Sequence, residues 1–87
     1  MSNGNWQIVV AHAVRKVLRK IPRKDGQRIE GAIDAMCSDP YQGDVDKLGG
    51  ENTWRRRVGS YRIKYEVYSH SRIVLIFKVE RRTSTTY

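Results

Sequence analysis

Gly59-Ser60 sits between two runs of alternating character, Trp54-Arg55-Arg56-Arg57-Val58 and Tyr61-Arg62-Ile63-Lys64-Tyr65. A two-residue loop with Gly in first place meets the requirement of a type II′ turn, and such a turn fixes the register of the strands it joins. Counting outward pairs Val58 with Tyr61, Arg57 with Arg62, Arg56 with Ile63, Arg55 with Lys64 and Trp54 with Tyr65. Because side chains alternate along a strand, Arg55, Arg57, Arg62 and Lys64 share one face. Trp54, Val58, Tyr61, Ile63 and Tyr65 share the other. The apolar side needs a cover, and the cationic side is left to solvent as two directly opposed like-charge pairs. Such pairs weaken a ladder by roughly 0.2 to 1 kcal/mol each. Structure alone would not select them, whereas a bound polyanion would neutralise them, and the planar fork of arginine suits phosphate. Arg56 is the misfit, since its parity sends it inward, and it is expected to reach the domain edge.

The rest of the chain supplies the cover. Trp6 to Val10 is β-prone, and Val14, Val17, Leu18 and Ile21 then recur at helical spacing. Pro22 is expected to end this helix and Arg23 to Gly26 to form a polar break, with Asp25 a cap for a second helix carrying Ile29, Ala32, Ile33 and Met36. Ser38-Asp39-Pro40 stops that helix. Tyr41 to Thr53, rich in Gly and Asp with Leu48 as anchor, reads as a crossing loop. Strands are expected at Trp54 to Val58, Tyr61 to Tyr68 and Arg72 to Glu80. The predicted fold is α+β, in the order β-α-α-β-β-β, with a helical hairpin on one face of a four-stranded, mostly antiparallel sheet. Whether Val74 and Ile76 or Ile73, Leu75 and Phe77 face the helices is open, because the turn at Ser69-His70-Ser71 has no unique length.

A chain of 87 residues is expected to form a single domain over 1–87. Its net charge of +8 is uneven: residues 1 to 50 hold 8 basic and 6 acidic groups, while residues 51 to 87 hold 9 and 3. An acidic partner for the C-terminal part is implied. The single Cys37 excludes a disulfide framework and paired-cysteine zinc sites. With two histidines, His12 and His70, and no paired carboxylates beside them, neither a metal nor another cofactor is expected. No apolar run approaches a membrane span, and the polar start Met1 to Asn5 lacks the centre of a secretory signal, so a cytoplasmic location is expected.

The string from Trp54 to Val67, with the helical hairpin ending in Ser38-Asp39-Pro40, Lys47-Leu48-Gly49-Gly50, and Glu80-Arg81-Arg82 at the end of the last strand, resembles the RelE/ParE superfamily of bacterial toxins. The resemblance implies a small basic toxin of a type II toxin-antitoxin system, restrained by an acidic antitoxin. RelE-like members act on messenger RNA in the ribosome, whereas ParE-like members poison DNA gyrase without nuclease activity. The residues that RelE-like toxins use match Arg55, Arg57, Arg62, Arg81 and Tyr87 here, which favours the endoribonuclease. A gyrase inhibitor and a non-catalytic nucleic-acid-binding module are the alternatives.

Metal-independent RNA cleavage uses the ribose 2′-hydroxyl as nucleophile and needs a proton acceptor, charge stabilisation and a proton donor. The arginines fit charge stabilisation. Arginine stays protonated, so Arg55 cannot take the role that lysine plays in some relatives. Lys64, flanked by arginines on its face, is the candidate base. Glu66 and Glu80 are expected to temper the charge. Arg15 and Arg19 on the first helix, together with Arg82, are candidates for further RNA contact through phosphates.

Overall fold

The computed structural model describes residues 5–50 and 52–81. The element order is β1 (Gln7–Val10), α1 (His12–Lys20), α2 (Arg23–Ala35), β2 (Val45–Lys47), β3 (Thr53–Val58), β4 (Tyr61–Tyr68) and β5 (Ile73–Arg81). The sheet runs β1-β5-β4-β3-β2, with β1 parallel to β5 and the other pairs antiparallel. The expected architecture is present, with one strand more than the sequence suggested.

That strand is β2, inside the segment read as a loop. Val45 pairs with Arg56, Asp46 with Arg55 and Lys47 with Trp54. Three residues among glycines and acids have little strand propensity of their own, and the open edge of β3 induces the pairing. The second helix also begins earlier than expected. Pro22 is its N-cap residue, with φ −53° and ψ 142°, and Arg23 to Gly26 form its first turn. Proline's missing N–H is harmless at a helix start. Asp25 makes no side-chain cap hydrogen bond, but its charge lies in the first turn, where the helix dipole favours it.

Both helices cover one face of the sheet. Val14 of α1 and Ile29, Ala32, Ile33 and Met36 of α2 meet Tyr61, Ile63, Tyr65 and Val67 of β4 and Val74, Ile76 and Val79 of β5 in one buried cluster. Val74 and Ile76 therefore face the helices. Val79, of opposite parity, joins them because the register slips between Lys64 and Tyr65: Tyr65 pairs with Ile76 but Lys64 with Lys78. This β-bulge at Phe77 reverses which residues of β5 reach each face beyond it.

Loop and turn geometry fix the ends of the sheet. The Tyr65 hydroxyl donates to the Pro40 carbonyl at 2.6 Å and anchors the chain leaving α2. Tyr41 packs edge-on against Trp6 and Trp54. Trp54 is packed against the core cluster, as its inward parity requires. Gly59 has φ +58°, as the first position of a type II′ turn demands. Among the described residues, no helix is long and apolar enough to cross a membrane.

Candidate nucleic-acid interface

The hairpin register is the one obtained by counting from Gly59-Ser60: Arg57 stands opposite Arg62 and Arg55 opposite Lys64. Ile63, between Arg62 and Lys64, and Tyr65, which follows Lys64, are fully buried. The four cations therefore lie on the face that the helices leave open. Each is half-buried, which limits its range of positions.

Carboxylates flank them. One oxygen of Asp46, Oδ2, lies 2.9 Å from Arg55 Nη2 and 3.1 Å from Arg57 Nη1. Asp44 Oδ1 lies 3.3 Å from the same Arg57 nitrogen. The Arg55 hydrogen bond, with the charges of Arg57 and Arg55, holds the Asp46 carboxyl below its ordinary value against an opposing effect of desolvation. Across the sheet, Lys64 Nζ is 3.0 Å from Glu80, and Lys78 is 3.6 Å from the other oxygen of that carboxylate. The hydrogen bond from Lys64, with the Lys64 and Lys78 charges, likewise lowers the Glu80 carboxyl. These partners are substantially solvent-exposed, with Asp46 at 43% and Asp44 at 63%, so the pairs are exchangeable contacts rather than locks.

Arg62 differs from its neighbours in having no ion pair among the described residues. Its Nε, like those of Arg55 and Arg56, is buried without a hydrogen-bond partner. A guanidinium held in the middle of the face with no carboxylate on it is suited to an incoming oxyanion. Lys64 stands among cations as expected, but it is also the donor to Glu80. Glu66 accepts the Tyr68 hydroxyl.

The remaining candidates are not brought to this cluster. Arg81 pairs with Tyr61, whose side chain points to the core, so the register puts Arg81 on the helix side of the sheet at an exposed strand end. Tyr87 and Arg82 lie outside the described residues. Arg15 and Arg19 are exposed on α1, where they line a shallow depression with Leu18 and Glu30, away from the open face. His12 and His70 are exposed. Arg56 reaches the edge as expected, and its Nη1 donates to the Gln42 carbonyl at 3.1 Å. Among the described residues, no group of three His, Cys, Asp or Glu side chains converges to hold a metal ion.

Sequence counting missed Asp44 and Asp46. The available signal was Val45-Asp46-Lys47, which alternates as a strand would, but a three-residue pattern is too short to separate from loop.

The helical hairpin on a short mixed sheet matches the architecture of RelE toxins of known structure. A family model described as "ParE toxin of type II toxin-antitoxin system, parDE" matches residues 8–85. The chain belongs to that family and is a toxin of a type II toxin-antitoxin system. It is 26% identical over 81 residues to the putative toxin RelE1 of Methanocaldococcus jannaschii, covering 88% of this chain and 90% of that protein. The RelE toxin in the archaeal RelE-RelB complex from Pyrococcus horikoshii OT3 superposes with a TM-score of 0.83 at 26% identity, over 92% of this chain and 98% of that one. The RelB-RelE antitoxin-toxin complex from Methanococcus jannaschii gives 0.72 at 28% identity, over 85% and 89%.

Proposed function

We propose that this toxin is a RelE-like, ribosome-dependent endoribonuclease that cuts messenger RNA without a metal, acts in the cytoplasm and is restrained by an acidic antitoxin. The observation that carries this reading is the placement of Arg55, Arg57, Arg62 and Lys64 on the one sheet face left uncovered. In the proposed step, the 2′-hydroxyl loses its proton and attacks the adjacent phosphorus. The P–O5′ bond breaks, and a proton passes to the leaving oxygen. The products are a 2′,3′-cyclic phosphate and a free 5′-hydroxyl. Arg62 and Arg57 stabilise the additional charge on the phosphorane, and Arg55 holds a neighbouring phosphate. Lys64 is the candidate proton acceptor on this face, and Glu80 must release it before it can act. Tyr87 contributes from the chain beyond β5, whereas Arg81, which the register turns to the helix side, serves as a phosphate contact away from the scissile bond. The ribosome supplies alignment of the message. Arg15, Arg19 and Arg82 serve as phosphate contacts outside the scissile bond.

The experiment is toe-printing of a translated message with purified protein: discrete cuts are expected with the wild type, and weaker cuts with Arg62→Ala. A gyrase-directed activity on the same fold is the second reading. It is favoured by the carboxylates of Asp44, Asp46 and Glu80, which offset much of the charge a nuclease would present to RNA. Intact message together with inhibited supercoiling in a gyrase assay would establish it in place of the first.

A further inference from the structure

Asp46 Oδ2 touches two guanidinium groups at once. That is the contact a non-bridging phosphate oxygen makes between paired arginines, so this carboxylate fills the place of a ligand. Beyond its ladder with β3, the element that carries it is tied by Arg57 N–H to the Asp44 carbonyl at 3.0 Å and by Leu48 N–H to the Thr53 carbonyl at 2.9 Å. β2 is three residues long, lies at the sheet edge, and has half-buried or exposed side chains throughout. Glycines in the left-handed region stand on both sides of it, Gly43 at φ +95° and Gly50 at φ +92°. Asp44 adds a second carboxylate to Arg57 from the residue before the strand.

We infer that the Asp44–Lys47 segment is an acidic strap that occupies the anion site of Arg55 and Arg57 in the free protein and is displaced by a phosphodiester backbone. This rests on reading the open face as a phosphate-binding surface. The strap makes the toxin selective. A single phosphate gains little by exchanging one anion for another at Arg55 and Arg57. An extended strand that also engages Arg62, which has no ion pair among the described residues, gains enough to move the strap aside. Asp44 and Asp46 thus set the threshold for engaging RNA and protect the protein from indiscriminate polyanion binding.

The test is fluorescence anisotropy with a labelled 12-nucleotide single-stranded RNA, fully 2′-O-methylated so that it cannot be cut, at 0.1 M salt. Asp44→Asn/Asp46→Asn should bind roughly tenfold more tightly than wild type, as expected for release of three exposed ion pairs that compete with the ligand. Asp44→Asn alone, an exchange at an exposed loop residue that leaves β2 intact, should bind about twofold more tightly. A control with the same change in net charge on α2, Asp25→Asn/Asp34→Asn, should move affinity by less than about twofold. Equal affinities for wild type and the double variant overturn the strap. So does a control that matches the double variant, since the effect is then net charge, and so does failure of the double variant to bind the RNA. Toe-printing with the same proteins separates the two proposals: cuts without the affinity order leave the nuclease and remove the strap, and the affinity order without cuts does the reverse.

Discussion

Tyr65 ties the core to the segment that carries the acids, and Tyr65→Phe isolates that tie. The side chain is fully buried, and its hydroxyl donates to the Pro40 carbonyl at 2.6 Å. Phenylalanine keeps the ring and its packing, so the change removes one hydrogen bond and leaves a buried carbonyl unpaired. The expected loss is about 1 to 3 kcal/mol at pH 7. For a domain of this size, it corresponds to a melting temperature lower by roughly 5 to 15 °C. The pH dependence provides a second and sharper readout. Burial pushes the Tyr65 phenol from the ordinary value of 10.0 up to about 12, with small effects from Arg56, Tyr41 and Asp39. Between those values the unfolded chain releases the proton and the folded chain keeps it. Stability is therefore whole below pH 10 and falls as the pH rises toward 12, by up to about 2 to 3 kcal/mol. Tyr65→Phe lacks this loss, so its deficit relative to wild type should shrink on going from pH 7 to pH 11. Urea unfolding followed by the fluorescence of Trp6 and Trp54 measures both effects. A variant as stable as wild type at pH 7, or a deficit that does not change with pH, would falsify the assignment of Tyr65 as the buried donor.

Gly43→Ala should destabilise the fold by about 1 kcal/mol or more, because φ is +95° and the new Cβ would sit 2.7 Å from Arg56 Nη1; thermal melts report the loss. Ile63→Ala empties a fully buried position in the middle of β4 and should cost about 2 to 5 kcal/mol in urea titrations. Glu80→Gln should change stability by less than about 1 kcal/mol at neutral pH. Since the Glu80 carboxyl is lowered in the fold, its contribution is present above the ordinary value of 4.5 and is lost as the pH falls through the folded value. The difference between wild type and Glu80→Gln in melts should therefore vanish on acidification.

The hairpin could be read from sequence because a two-residue turn leaves no freedom in register and strict alternation then assigns every side chain to a face. The same alternation placed Ile63 and Tyr65 in the core. Other features depend on partners distant in sequence. β2 exists because β3 offers an edge, and Asp46 reaches Arg55 because the two are register partners. The start of α2 was obscured because Pro22 serves equally as a stop for one helix and a cap for the next. Arg62 was legible as a surface cation, but its lack of an acidic partner among the described residues could be known only once Asp44, Asp46 and Glu80 were located.

The bulge at Phe77 has the largest consequence for the site. Continued without a slip from the pairing of Tyr65 with Ile76, the ladder would set Val79 opposite Arg62 and Glu80 opposite Tyr61. Val79 and Arg81 would then share the open face with the cations. With the extra residue, Lys78 pairs with Lys64 and Glu80 with Arg62, while Val79 and Arg81 turn to the helix side. One inserted residue thus completes the core with Val79, which is buried, and exchanges an arginine for a glutamate beside Arg62 and Lys64. β3 and β4 now present Arg55, Arg57, Arg62 and Lys64, while β2 sets Asp46 beside them and β5 sets Glu80 and Lys78. That order offsets the repulsion of the directly opposed pairs Arg57–Arg62 and Arg55–Lys64 in the free protein.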